Sequence, residues 1–169
     1  MRVNWLGHSA FLLTGESKAV VIDPYGSFPK DRPIKFDYPP LEGLEADLVL
    51  VSHEHLDHNA ADAVRGDPDV IRASAGISES PIGEVLGIAS EHDPSAGTQR
   101  GANTIFCFTL DGVRCCHLGD FGQGGLRPEQ REAIGDVHVL FVPVGSGPIR
   151  YPGEAWLRPT VIVCRAPPL

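Results

Sequence analysis

The sequence predicts an α/β fold in which two β-sheets pack face to face with helices outside. Three observations carry that reading. Residues 47–52 hold a continuous apolar run, as expected of a strand buried on both faces. Short β-rich runs fall into two groups, each with a helical segment of its own. The 19 glycines and 15 prolines are spread between those runs, where they punctuate turns.

Taken in order, residues 3–6 and 10–14 read as strands joined at Gly7, His8 and Ser9. Residues 18–22 make a third strand that ends at Asp23 and Pro24. Residues 26–46 are rich in proline and charge and read as an irregular loop. The strand at 47–52 runs directly into His53. A short helix is expected over 59–65, stopped by Gly66. Strands follow near 70–73 and 85–89. Residues 104–110, then Asp111 and Gly112, then residues 113–117 form a strong hairpin signal. Residues 128–134 are helical, with Pro128 in the first turn and Gly135 after the end. A strand at 137–144, a helical turn at 154–157 and a last strand at 160–164 complete the chain. The 169 residues suit one domain spanning 1–169.

Composition limits the function. A net charge of −8 disfavours binding to a phosphate backbone, which needs clustered Lys and Arg. A small anionic substrate stays compatible, because a bound metal supplies local positive charge. No apolar run approaches the roughly 20 residues that span a bilayer, and residues 1–6 lack the basic and apolar segments of a signal peptide. The expected partner is therefore a small molecule, with neither nucleic acid nor membrane. The four cysteines, Cys107, Cys115, Cys116 and Cys164, contain no Cys-x-x-Cys pair and read as reduced strand or core residues. Cys115 and Cys116 point to opposite faces of their strand. A reducing cytoplasm is the expected compartment.

The chemical signal is concentrated in residues 52–58. His53, His55, Asp57 and His58 fall within six residues at the end of a buried strand. Imidazole nitrogen and carboxylate oxygen suit zinc, and also manganese or iron. His53 and His55 project to one side of an extended segment and can share one ion. A turn then lets Asp57 and His58 face an adjacent position, so that one loop serves one or two divalent ions.

His-x-His-x-Asp-His after an apolar strand resembles the signature of the metallo-β-lactamase superfamily. The segments Trp5 to Phe11, Ile22 to Pro24 and His117 to Asp120 resemble one branch of it, the small bacterial metal-dependent hydrolases similar to ascorbate-6-phosphate lactonase. The resemblance runs from about Val3 to Val144. It implies a four-layer αββα sandwich with metals at the sheet edge. It also implies that His53, His55 and His92 hold a first metal, that Asp57 and His58 hold a second, and that Asp120 bridges both.

Other residues carry two readings each. Asp23 either accepts a hydrogen bond from a ligand histidine or caps the turn before Pro24. The resemblance puts His8 near the site, where a substrate-side role and a structural hydrogen bond compete. Arg100 either meets an anionic substrate group or pairs with a surface carboxylate. His117 is expected to pack beneath the site and His138 to face solvent.

The sequence also departs from the pattern. The resemblance implies one more histidine ligand after the final strand, yet no histidine follows His138. The second half thus reads as abridged at its C-terminus, and the second ion as short of a partner unless Cys164 or a neighbouring subunit supplies one. An exposed sheet edge there would favour a homo-oligomer.

The expected activity is hydrolysis of a lactone, ester, amide or phosphoester. A divalent ion lowers the pKa of water toward about 7 and so provides hydroxide. Asp57 and Asp120 are the catalytic carboxylates that orient it, Asp57 accepting its proton. No Gly-x-Ser-x-Gly elbow and no Cys–His pair argues for a covalent route. The competing readings are a nuclease, which the charge disfavours, and a catalytically impaired metal-binding protein.

Overall fold

The computed structural model describes residues 1–27 and 38–143, together with the backbone of the strand at 160–164. The expected loop at 145–148, the helical turn at 154–157, the side chain of Cys164 and part of the 26–46 loop lie outside the described residues.

Strands β1 (Arg2–Gly7), β2 (Ala10–Thr14), β3 (Ala19–Ile22), β4 (Leu48–Val51) and β5 (Asp69–Arg72) form one sheet in that order. The first three are antiparallel neighbours, and β4 and β5 join in parallel. The second sheet takes β6 (Gly76–Ser78), β7 (Val85–Glu91), β8 (Ala102–Leu110), β9 (Val113–His117), β10 (Val139–Pro143) and β11 (Thr160–Cys164). Its spatial order is β11-β10-β9-β8-β7-β6, with only β9 and β10 parallel.

Strand alternation explains the layering. Val20, Ile22, Leu48 and Leu50 turn to one face of the first sheet and meet Phe106, Phe108 and Phe141 of the second, forming the core between the sheets. The intervening Val21, Val49 and Val51 turn the other way and are covered by Leu44, Ala46, Ala61 and Val64. On the far side of the second sheet, Ile105, Cys107 and Cys116 pack against Ile134 of the helix α1 (Pro128–Ile134). Cys115 belongs to the central core and Cys116 to the outer layer, so the two cysteines take opposite faces as expected. Three apolar interfaces separating four layers are what the αββα sandwich requires.

The hairpin between β8 and β9 turns at Asp111 and Gly112, which have φ of 51° and 74°. Two successive positive φ values suit the right-handed twist of the strands. Helix α1 starts where Gln130 accepts the N–H of Arg127 at 2.9 Å, and its amide donates to Ala89 O at 2.7 Å, tying the helix to β7.

Two expectations are corrected. The helix expected over 59–65 is a single 3-10 turn, Ala61–Ala63. Its flanking amides are taken elsewhere: Ala60 N–H donates to Pro24 O and Arg65 N–H to Leu44 O. Those tertiary bonds replace the i→i−4 bonds that a longer helix needs. Strand β6 was not expected; three residues carry too little periodicity to be read.

Candidate functional site

The candidate residues come from strand ends that share one rim of the sandwich. His8 lies between β1 and β2, Asp23 follows β3, His53 to His58 follow β4, His92 follows β7 and Asp120 follows β9. The rim is stitched across the two sheets, since Thr104 N–H on β8 donates to Ser52 O after β4 at 2.9 Å.

Three groups of ligand atoms form there, each with all members within 4.8 Å of one another. One is His53, His55 and His92. A second is His8, Asp57 and His58. The third, His53, His58 and Asp120, links the other two. Asp120 stands between them: Oδ2 lies 3.0 Å from His92 Nε2 and Oδ1 lies 3.6 Å from His58 Nε2.

Asp23 organises the rings. Its carboxylate accepts the backbone N–H of Ser52 at 2.7 Å, the Ser52 hydroxyl at 2.7 Å and the His58 Nδ1–H at 3.0 Å. The acceptor-only carboxylate therefore holds the His58 Nδ1 proton, so that Nε2, facing Asp57 and Asp120, carries the lone pair once the ring is neutral. Ser52 has spent its only proton on Asp23, so at 3.0 Å its oxygen accepts from His53 Nδ1–H. His53 Nε2 is then also a lone pair, aimed inward.

This donor set fits a cation. His53 Nε2 and Asp120 Oδ1 are buried and lack a hydrogen-bond partner among the described residues, an arrangement that is costly unless an ion faces them. The groups are imidazole and carboxylate, which suit zinc and its first-row neighbours.

Electrostatics in the metal-free protein point the same way. Burial and the neighbouring charge of His58 push His53 down to about 3, keeping it neutral. Burial also disfavours a charged His58, but the carboxylates of Asp120, Asp23 and Asp57 outweigh it and push that ring up to about 9. Burial opposes ionisation of Asp120, yet His58 and His92 hold its carboxyl well below the usual range. Against the same burial penalty, His8 and His58 hold Asp57 there too. A proton on His58 occupies the place of a cation among three carboxylates.

The remaining residues divide. His117 is buried between Phe11 and Phe141, its Nδ1 accepting Gly119 N–H at 3.0 Å. His138 is exposed and accepts Arg114 N–H at 2.9 Å. Arg100 belongs to none of the ligand groups; its backbone N–H donates to Asp93 at 2.8 Å.

Sequence reasoning missed two positioning residues. Asn103 Oδ1 accepts Asp120 N–H at 2.9 Å while its amide donates to Ser90 Oγ and Leu118 O. Asp93 accepts four backbone amides, from Ser95, Gly97, Gln99 and Arg100, and so shapes the loop after His92. An Asp followed by small and glycine residues is a turn signal, but nothing in the spacing tied it to the site. Gly119 permits the close approach: its φ is 59°, and a Cβ there would sit 2.3 Å from Asn103 Oδ1.

Comparison with known proteins bears on the fold and the family. A UPF0173 metal-dependent hydrolase of Korarchaeum cryptofilum is 36% identical over 117 residues, 68% of this chain and 46% of that protein. One from Thermococcus kodakarensis is 29% identical over 178 residues, 92% of this chain and 77% of that protein. A crystal structure from Thermotoga maritima, described as a Zn-dependent hydrolase of the metallo-β-lactamase superfamily, superposes with a TM-score of 0.64 at 33% identity. It covers 86% of this chain, which in turn spans 62% of that protein. A β-lactamase superfamily domain model matches residues 2–162, so the chain belongs to the metallo-β-lactamase superfamily.

Proposed function

We propose that the protein is a hydrolase that uses one or two divalent cations, zinc foremost with manganese or iron as alternatives, on a small polar lactone, ester, amide or phosphoester. The observation that carries this reading is the meeting of His53, His55 and His92 with Asp57 and His58 on either side of Asp120. The UPF0173 relatives named as metal-dependent hydrolases support it.

In this reading His53, His55 and His92 hold the first cation, Asp57 and His58 contribute to the second, and Asp120 serves both. Bound there, a cation supplies Lewis acidity and water of lowered pKa. The chain's own residues do the rest. Asp57 is half-buried and held as a carboxylate, so it orients the attacking water and takes its proton. Asp120 stays ionised and fixes His92. Asp23, through Ser52 and directly, keeps His53 and His58 in the tautomers that present lone pairs. Arg100, on the loop after His92, is the residue assigned to an anionic substrate group.

A non-catalytic metal-binding protein is the second reading. The experiment that separates them loads the purified chain with zinc, manganese or iron and screens lactones, esters, amides and phosphodiesters. Turnover that chelation removes and metal restores supports the hydrolase. Stoichiometric metal binding without turnover on any class supports the second reading.

A further inference from the structure

We propose that His8 is a direct ligand of the second cation, beside Asp57 and His58. The inference rests on the metal reading of the site given above but assigns a ligand that reading lacks.

Three donor atoms converge at this end of the rim. His8 Nε2 lies 3.0 Å from His58 Nε2 and 3.2 Å from Asp57 Oδ2. His58 Nε2 lies 3.7 Å from Asp57 Oδ2 and 3.6 Å from Asp120 Oδ1. A tetrahedral ion with bonds of about 2.0–2.2 Å needs donor atoms about 3.3–3.6 Å apart. The three separations among His8, Asp57 and His58, at 3.0, 3.2 and 3.7 Å, lie around that range.

The proton inventory agrees. His58 gives its Nδ1–H to Asp23, so Nε2 is the nitrogen that offers a lone pair when the ring gives up its second proton to bind an ion. Asp57 adds a carboxylate oxygen to the same space. A neutral His8 bearing a proton on Nε2 satisfies one of these acceptors, whereas a cation satisfies all of them and lets the His8 lone pair join.

The turn is built to hold the ring there. His8 takes a left-handed φ of 50° between β1 and β2, a conformation that a non-glycine side chain adopts only when its surroundings impose it. Its carbonyl accepts Trp5 Nε1–H at 2.8 Å, and the side chain is buried.

Elimination leads to the same residue. Of the seven histidines, His53, His55 and His92 form the other group, His117 is locked in the core and His138 is on the surface. Among the described residues His8 is the histidine that accompanies His58.

The test uses the metal-free full chain titrated with zinc, with ring nitrogens followed by long-range proton–nitrogen NMR and affinity by chelator competition. We expect two ions per chain, and the His8 Nε2 resonance to move only with the second equivalent. His8→Ala should keep the first ion within a few-fold. It should weaken the second by about 100-fold or more, at least the upper end of what losing an outer hydrogen bond costs. Free imidazole should restore the second ion to His8→Ala, and His138→Ala should bind both like the parent. A His8 resonance unmoved by the second ion, or a His8→Ala variant with unchanged second-ion affinity, overturns the inference alone. A chain that binds no ion overturns it together with the hydrolase reading. If His8→Ala fails to fold, the NMR titration of the parent protein decides.

Discussion

Replacing Asp23 by asparagine is the sharpest test of how the site is organised. The substitution keeps shape and removes charge at a fully buried position. The retained oxygen can still accept Ser52 N–H, but an amide now faces both the Ser52 hydroxyl and His58 Nδ1, where a carboxylate oxygen accepted two protons. A neutral His58 must then turn its Nδ1 into an acceptor and carry its one proton on Nε2, toward Asp57 and Asp120. Hydrogen bonds to a charged group contribute about 1.5–3 kcal/mol against about 0.5–1.5 for neutral ones. Two contacts change class, so the metal-free protein should lose about 2 kcal/mol, part of it offset by relief of the buried charge. Metal affinity should fall 10–100-fold, the usual consequence of disturbing a histidine's outer partner. Urea unfolding of the metal-free chain gives the first quantity and chelator competition the second. Affinity within twofold of the parent would refute the claim that Asp23 sets the tautomers.

Four further outcomes are expected. Without metal, stability should peak near pH 6.5. The raised His58 contributes fully below its unfolded pKa near 6.5 and loses that contribution as pH rises through about 9; the depressed His53 contributes fully above 6.5 and loses it as pH falls through about 3. Urea midpoints from pH 4 to 9 read this, and a flat profile contradicts it. At pH 7.5, calorimetry in buffers of different ionisation enthalpy should show about one proton released as His58 takes its ion, because ligands bind metal deprotonated; release that persists undiminished well above pH 9 argues against His58 as its source. Gly119→Ala should cut metal-dependent turnover at least tenfold with the fold intact by circular dichroism, since the new Cβ meets Asn103 Oδ1 and loosens Asp120; parental turnover contradicts that role. Phe141→Ala, which removes a fully buried ring whose centroid lies 4.8 Å from that of Phe11, should cost about 3–5 kcal/mol by urea unfolding; a loss under 1 kcal/mol would mean the sheets close over the gap.

What the sequence revealed depended on whether a signal was local. The apolar run into His53 and the Asp111–Gly112 hairpin are short-range patterns, and both elements stand where they were expected. The opposite orientation of Cys115 and Cys116 follows from strand periodicity alone. The 59–65 segment misled because its helix-forming residues were outbid by Pro24 and Leu44, partners remote in sequence. The same distance hid the orienting chain from Asp23 through Ser52 to His53, which spans strands that only the folded sheet brings together. Asn103 was invisible for this reason as well, because its carbonyl matters only once β8 lies beside the 118–120 turn.

The placement of the ligands at strand ends has an energetic logic. Pairing in the sheets and burial of Val20, Ile22, Leu48, Phe106 and Phe141 fix the strands, and the rim residues inherit that rigidity without contributing to the core. Metal-free, the rim holds lone pairs and carboxylates that repel one another, which a proton on His58 and the contacts of His8 and His92 relieve in part. The core must therefore supply stability in excess of what the rim costs, and a cation returns part of it on binding. The bond from Thr104 to Ser52 makes that exchange cooperative: it couples the strand bearing His53 to the sheet bearing His92 and Asp120, so an ion held by both sheets also resists their separation.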